Sequence, residues 1–144
     1  MPFDKFQIIR KMLELGLIDR DTLTRVLLIC KSRNINVLNV LANYAGMSID
    51  EIRKFVEDHF DVPALDLEDL ALNPEIVRMV PKDVAMEHQI VPAFRILNRM
   101  HLAVANPFDL DGINRIKGYI GENSDIFLAP ETQVMHVINK YQSI

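Results

Sequence analysis

Residues 3–60 carry apolar side chains every three or four positions, which is the spacing of one face of an α-helix. Residues that stop and start helices separate these stripes: Gly16 is placed to end one helix and Asp19 to cap the next. Ser48 and Glu51 have the spacing of a capping box. The apolar stripes are Phe6, Ile9, Met12 and Leu13; Leu23, Val26, Leu27 and Cys30; Val37, Leu38, Leu41 and Ala42; and Ile52, Phe55 and Val56. This part is predicted to be a bundle of about four short helices.

A different pattern begins after residue 62. Residues 61–67 interrupt the helical spacing with a proline and are the best candidate for a boundary. Beyond them, three prolines are placed to start helices, at Asn73-Pro74, at Pro81 and at Pro130. A further helix with one apolar face follows Asn106-Pro107.

Extended apolar runs in this second part predict three strands, at residues 90–97, 101–105 and 125–129. Residues 98–100 are placed to join the first two strands as a hairpin. The chain is therefore predicted to be an α+β protein. A helical subdomain, residues 1–62, precedes an α/β subdomain, residues 63–144, in which helices flank a three-stranded sheet.

Composition and charge narrow the classes of function. Hydrophobic residues make up 49% of the 144 residues, enough for a core, while no apolar run approaches the ~20 residues of a membrane span. The net charge of −4 is opposite to that of most nucleic-acid binders. The single cysteine, Cys30, cannot form an internal disulfide, and the first residues lack the features of a signal peptide. We expect a cytoplasmic protein that binds no nucleic acid and does not insert into the membrane.

The sequence gives little support to enzyme chemistry. The five glycines nowhere form a Gly-x-x-x-x-Gly-Lys-Ser/Thr phosphate loop, and the four histidines are scattered rather than clustered for a metal. Cys30 lies on an apolar helical stripe, which favours a small core residue over a nucleophile. Asp109 and Asp111 follow a proline and are typical first-turn carboxylates of a helix. No catalytic residue, metal ligand or cofactor site is therefore predicted.

A weak internal repeat relates the two halves of the helical part. A shift of 29 positions pairs Ile9 with Leu38 and Leu23 with Ile52. Two helix-turn-helix units packed face to face explain this pattern without any ligand.

The order of strands and proline-started helices from Val80 to Gln142 resembles the N-terminal domain of type II secretion and type IV pilus assembly ATPases. The likeness is weaker over residues 7–63, and the ATPase module itself is absent. The resemblance implies an accessory module that connects the motor to the inner-membrane platform and transmits regulation. It also implies the partners: an assembly ATPase, or the cytoplasmic domain of a platform protein through which the chain would sit at the membrane. Whether these residues are a whole protein or the front of a longer ATPase stays open.

Some members of this family carry, in the helical region, two copies of a motif that binds the second messenger cyclic di-GMP. Each copy has Arg-Leu-Gly, a glycine seven residues later, spaced leucines and a final Gln. Arginine holds phosphate or stacks on guanine, and glycine lets a ligand approach the backbone closely.

This sequence keeps the apolar spacing of the motif and departs from its polar positions. In the first copy Gly16 matches, whereas the triplet begins at Gln7 and Cys30 replaces the final Gln. In the second copy the triplet begins at Asn36, Ala45 occupies the glycine position with Gly46 next to it, and His59 replaces the final Gln. Together with two nearby arginines, the candidate ligand-binding positions are Gln7, Ile9, Arg10, Gly16, Arg33, Asn36, Leu38, Gly46 and His59.

Loss of the motif arginines removes a cationic phosphate contact from each copy, and hydrogen bonds to charged groups are worth ~1.5–3 kcal/mol. We therefore expect a non-catalytic adaptor or regulatory domain, with a cyclic di-GMP receptor as the alternative. The apolar floor of the degenerate motif is a candidate docking patch, although the same residues also fit a bundle core. The patch comprises Ile8, Ile9, Leu17, Val37, Leu38 and Met47.

Overall fold

The computed structural model describes residues 5–30, 36–121 and 123–142, without the side chains of Lys5 and Gln142. Within these ranges the chain forms eight α-helices and a three-stranded sheet, which confirms the predicted α+β fold. The helices are α1 (Lys5–Glu14), α2 (Arg20–Ile29), α3 (Val37–Ala45), α4 (Ile49–Phe60), α5 (Pro74–Val77), α6 (Lys82–His88), α7 (Leu110–Ile120) and α8 (Glu131–Gln142). The strands are β1 (Ile90–Ile96), β2 (Arg99–Val104) and β3 (Ser124–Leu128), and a short 3-10 turn covers Leu67–Asp69.

Local capping chemistry determines where α2 and α4 begin. Before α2, the Asp19 carboxylate accepts a hydrogen bond from the Thr22 N–H at 2.7 Å. Before α4, the Ser48 hydroxyl accepts from the Glu51 N–H, and the Glu51 carboxylate accepts from the Ser48 N–H, each at 3.1 Å. The predicted cap at Asp19 and the predicted capping box at Ser48 are both confirmed.

A left-handed turn at Gly16, with φ of +74°, ends the first helical segment. The Gly16 N–H donates to the Leu13 carbonyl at 3.1 Å, and the Leu17 N–H donates to the Met12 carbonyl at 2.9 Å. These two bonds form a Schellman motif, whose left-handed residue is usually glycine because a side chain is strained there.

Helix α3 ends in the same way. Gly46 has φ of +66°, and the Met47 N–H donates to the Ala42 carbonyl at 3.0 Å across the turn. The two helical hairpins therefore share one design, a helix, a glycine turn and a capped second helix.

The repeat is offset by one residue at this turn. The helix caps Asp19 and Ser48 lie 29 positions apart, as the sequence predicts, whereas the glycines Gly16 and Gly46 lie 30 apart. Gly46, rather than Ala45, is thus the structural counterpart of Gly16. The stretch from the glycine to the cap of the next helix is thus one residue shorter in the second hairpin than in the first.

Strands β1 and β2 form an antiparallel hairpin in which Ile96 lies opposite Arg99. Leu97 and Asn98 form the turn, with φ of +49° and +66°. Positive φ at both positions is the pattern of a type I′ turn, whose twist matches that of the flanking strands. The predicted turn at residues 98–100 is therefore wrong in position: the turn lies at residues 97 and 98, and β2 already begins at Arg99.

Strand β3 lies parallel to β2 on the side away from β1, with Ala103 opposite Phe127. Helix α7 makes the crossover that parallel neighbours require. At the start of these strands the Arg99 guanidinium donates two hydrogen bonds of 2.7 Å to the Asp125 carboxylate. These bonds hold the pKa of the Asp125 carboxyl below its usual range.

The buried apolar residues form two clusters. The helical core is built mainly from α1–α4, and the α/β core contains residues of the three strands and of α5–α8. The second part of the chain also contributes Phe108 and Leu128 to the helical core. Beside them, the Leu128 N–H donates to the Pro63 carbonyl at 2.7 Å, and the Leu65 N–H donates to the Leu128 carbonyl at 3.0 Å. The segment after residue 62 is thus attached to the sheet, and the division of the chain at that residue stays a prediction.

Candidate functional site

The predicted ligand positions on α1 comprise exposed and buried side chains. Gln7 and Arg10 are exposed and lie three residues apart, so they are neighbours on one helix face. Ile9 is only 1% exposed and belongs to the helical core. Gly16 is exposed at the turn beyond the helix. A ligand on this helix face would meet Gln7 and Arg10, while Ile9 stays covered.

In the second copy of the motif, two positions serve the fold. The Asn36 side chain caps α3 by accepting a hydrogen bond from the Leu38 N–H at 2.9 Å. Leu38 itself is 1% exposed in the helical core. Capping engages the Asn36 oxygen, and burial removes the Leu38 side chain from the surface.

The remaining second-copy positions lie apart from these two. His59 is exposed near the end of α4, with its ring 4.3 Å from the ring of Phe55. Gly46 is exposed at the turn after α3. Arg33 lies outside the residues that the structure describes. The structure thus shows surface at His59 and Gly46, and ligand binding there stays a prediction.

The apolar patch predicted from the motif is mostly buried. Ile8, Ile9, Val37 and Leu38 are each no more than 1% exposed. Leu17 is 39% exposed, and Met47 is half-buried. The alternative interpretation, that these residues form the bundle core, holds for the four buried ones.

Three further expectations concern Cys30, metal binding and membrane-spanning helices. Cys30 is 2% exposed in the helical core, as expected for a small core residue. Across the described ranges, no three His, Cys, Asp or Glu side chains gather as metal ligands do. In the same ranges, none of the helices combines the length and apolarity needed to cross a bilayer.

The structure contains a large concave surface that the sequence did not indicate. It is a cavity of about 880 Å³ that runs beside β3, between the end of α4 with its following segment and helix α7. We call it the β3 groove. Its walls and floor are Phe60, Asp61, Val62, Pro63, Leu65, Phe94, Ile96, His101, Pro107, Leu110, Ile113, Asn114, Lys117, Ser124, Asp125, Ile126 and Phe127.

An aromatic row crosses the sheet inside the β3 groove. The rings of Phe94 and His101 stack with centroids 4.7 Å apart, and those of Phe94 and Phe127 stack at 5.7 Å. Phe94, His101 and Asp125 are direct cross-strand neighbours and therefore share one face of the sheet. The lining comes from four separate stretches of sequence, so no local spacing could have revealed it.

A polar cluster joins α6 to the start of α7. The Asp109 carboxylate caps α7 by accepting from the Gly112 N–H at 3.0 Å, and its second oxygen lies 3.2 Å from His88 Nδ1. Glu87 lies 3.1 Å from His88 Nε2 and accepts a 2.6 Å hydrogen bond from Arg115. Asp109 lies at the start of α7 as predicted, although as its cap, and Asp111 is the carboxylate in the first turn. Every member of the cluster has a partner within it.

Known proteins share this architecture. The family model of the MshEN domain matches residues 60–144. The type IV pilus assembly ATPase PilB of Myxococcus xanthus (strain DK1622) is 29% identical over 101 residues, which are 70% of this chain and 18% of that protein. The chain therefore spans less than a fifth of the length of this relative.

Solved structures match both parts of the chain. A structure of MshE with cyclic di-GMP has a TM-score of 0.71 at 18% identity, covering 90% of this chain and 94% of that one. The N-terminal domain of XpsE has a TM-score of 0.69 at 14% identity, covering 97% of each chain. Because the family model matches more than half of the chain, and the fold agrees over nearly all of it, the chain belongs to the MshEN domain family.

Proposed function

We propose that this MshEN domain is a non-catalytic docking and regulatory module of a type IV pilus or type II secretion system. It binds the assembly ATPase, or the cytoplasmic domain of an inner-membrane platform protein, and works in the cytoplasm. The observation that carries the proposal is its match to a small part of a pilus ATPase, since the aligned residues are 18% of PilB. A segment that small is an accessory part of such a motor.

Surface shape supports a docking role. The β3 groove has a mainly apolar lining and reaches the size of cavities that hold ligands or partner side chains. Ile96, which lines the groove, is 52% exposed, and Leu97 beside it at the hairpin tip is 91% exposed. Clustered exposed apolar side chains are typical of interaction sites.

Binding measurements with the purified chain test this proposal. The ATPase and the cytoplasmic part of the platform protein from the same organism are immobilised in turn, and the chain is titrated over each by biolayer interferometry. We expect saturable binding to one of them. Where an ATPase follows on the same polypeptide, the matched experiment deletes residues 1–144 from it and measures loss of binding to the platform protein. Binding to neither partner, with the chain folded by circular dichroism, contradicts the proposal.

A second candidate function is a cyclic di-GMP receptor. Two observations favour it: the fold of MshE, solved with cyclic di-GMP, covers 90% of this chain, and the Gly16 and Gly46 turns both remain exposed. Gln7 and Arg10 lie on the exposed face of α1, the helix that precedes the Gly16 turn. Arg10 would then supply the phosphate contact that the motif arginine supplies in the family.

Titration calorimetry with cyclic di-GMP decides between the two candidates. A receptor gives micromolar, saturable binding that Arg10→Glu weakens by about tenfold, the loss of one charge-assisted hydrogen bond. Lys140→Glu makes the same charge change on α8 and leaves binding unchanged. The adaptor proposal predicts no heat of binding to either the native chain or the variants.

A further inference from the structure

The outer edge of β3 is only partly covered. The Met100 N–H donates to the Asn123 carbonyl, and the Ala129 N–H donates to the Val104 carbonyl, so odd-numbered residues of this stretch face β2. Backbone groups alternate sides along a strand. The N–H and carbonyl groups of Ile126 and Leu128 therefore face away from β2, toward the outer edge.

Leu128 finds its partners in the chain itself. Its outward groups pair with Pro63 and Leu65, and Ala64 bridges it in parallel. Two residues earlier the edge is open: within the described ranges, no backbone or side-chain group bonds to the outward N–H and carbonyl of Ile126. The 63–65 segment thus begins a fourth strand and stops after one bridge.

The β3 groove runs along this open edge. Ile126 lines it together with Leu65 from the segment after α4, Leu110 from α7 and Phe94 from the sheet. A strand laid beside Ile126 would direct alternate side chains onto these apolar surfaces, because successive side chains of a strand point to opposite faces. The geometry suits an extended peptide better than a helix, which has no free backbone groups to offer the edge.

Charged side chains line the groove on two sides, Asp61 after α4 and Lys117 on α7, so an acidic side chain of an occupant is favoured only near α7. Asp125 lines the groove, but both of its oxygens are bonded to Arg99. Lys117 is exposed in the groove wall, and no carboxylate among the described residues lies within ion-pair distance of its ammonium group. On the α7 side, Lys117 interacts electrostatically with Asp125 but forms no ion pair with it, so its ammonium group is open to direct pairing with an acidic side chain of an occupant.

We propose that the β3 groove binds an extended segment of a partner protein, which adds as a strand at Ile126 and places an acidic side chain against Lys117. Main-chain hydrogen bonds to Ile126 supply affinity, and the apolar walls with Lys117 select an alternating apolar and acidic sequence. The inference rests on the proposed docking function and names the site and the chemistry of the partner segment.

Peptide selection tests the chemistry. A phage library of random 12-residue peptides is selected against the native chain, and the selected peptides are titrated by fluorescence polarisation. We expect alternating apolar residues with an acidic position, and binding about tenfold weaker to Lys117→Glu, the loss expected for one charge-assisted contact. Lys140→Glu, an equal charge change on an exposed α8 residue, should bind like the native chain. Failure to select any peptide, or equal binding to both variants, overturns the proposal.

Amide hydrogen exchange tests the strand geometry. Saturation with a selected peptide should slow exchange of the Ile126 N–H at least tenfold, because an outward N–H becomes hydrogen-bonded. Peptides that bind without slowing this amide contradict strand addition. The Ile126 amide could also exchange slowly without peptide in a chain that light scattering shows to be a dimer. That result would assign the edge to a second copy of the chain and would contradict the proposal.

The partner proteins separate this inference from the proposed function. If the ATPase or the platform domain binds the native chain and Lys117→Glu equally, with the Ile126 amide unprotected, docking stands and the groove assignment fails. If neither partner binds the native chain, the docking function fails, and the peptide experiments alone decide whether the groove takes a strand.

Discussion

Among the five glycines, Gly112 is the one at which an added methyl group conflicts with the fold. A Cβ there would lie 2.3 Å from Asp109 Oδ2 and 2.6 Å from His88 Nδ1. The Asp109 carboxylate uses its other oxygen to cap α7, so moving it away breaks the contact with His88, the cap, or both. The absence of a side chain at Gly112 lets α6 and α7 meet through these two groups.

We predict that Gly112→Ala destabilises the protein by about 1–3 kcal/mol, the usual cost of inserting atoms into a packed site. Urea denaturation followed by circular dichroism measures the change. His88→Ala in the same background should recover part of the loss, because it removes one of the two groups that the methyl group meets. A Gly112→Ala variant as stable as the native chain would show that Asp109 and His88 are not held where the structure has them.

At the scale of helices, the glycine turns are the most sensitive points. Gly16 has φ of +74°, and a Cβ on it would touch nothing within 4 Å. Any cost of a side chain there is therefore backbone strain, of about 1–2 kcal/mol for a non-glycine residue in the left-handed region. Gly118 differs in its backbone conformation, because it lies inside α7. A Cβ on it would also touch nothing within 4 Å.

We predict opposite signs for the two matched substitutions. Gly16→Ala should lower the free energy of unfolding by about 1 kcal/mol, because alanine at C′ is strained. Gly118→Ala should raise it by about 0.5–1 kcal/mol, because glycine inside a helix is unfavourable relative to alanine. Equilibrium denaturation of the two variants side by side measures both. A stabilising Gly16→Ala would mean that the turn is not left-handed.

Helices and strands were predictable where the signal is local. The helix caps Asp19, Ser48 and Asn73 each accept a hydrogen bond from a backbone N–H two or three residues later, so the sequence around each residue is enough to predict the helix start. The predicted hairpin turn began one residue too late along the chain. Leucine rarely adopts positive φ, so nothing in the sequence was a reason to include Leu97 in the turn, although it has positive φ in the structure. The repeat of 29 positions points to Ala45 rather than Gly46, because the stretch from the glycine to the next helix cap is one residue shorter in the second hairpin. A fixed repeat length cannot show such a difference.

The candidate site was less accessible to sequence reasoning. Periodicity identified Ile9 and Leu38 as helical apolar positions, but it could not distinguish a core residue from a ligand floor. The β3 groove depends on how α4, α7 and β3 come together in space. Lys117 is an ordinary surface lysine in the sequence, and only the structure shows that it lines the same groove as Ile126.

At the scale of the whole molecule, Leu128 couples the two parts. It ends β3, pairs with the 63–65 segment, and is fully buried in the helical core. We predict that Leu128→Ala costs about 2–5 kcal/mol, as for other buried leucines. It should also speed amide exchange in α3 and α4, although the substitution lies in the sheet.

Val137 provides the matched control for this prediction. It is buried in the α/β core and has no place in the helical core. Val137→Ala should speed exchange in the sheet and in α8 while α3 and α4 keep their native protection, as followed by hydrogen exchange with mass spectrometry. Equal effects of both variants on α3 would indicate one undivided core.

The contribution of Phe108 and Leu128 to the helical core has a consequence during synthesis. A ribosome releases α1–α4 first, and these helices then lack the two side chains that close their core. At ~5–20 residues per second, β3 emerges on the order of several seconds after α4. Over that interval the nascent helices keep an apolar opening, which is the stage at which a chaperone, or the same segment of a neighbouring nascent chain, has its best access to them.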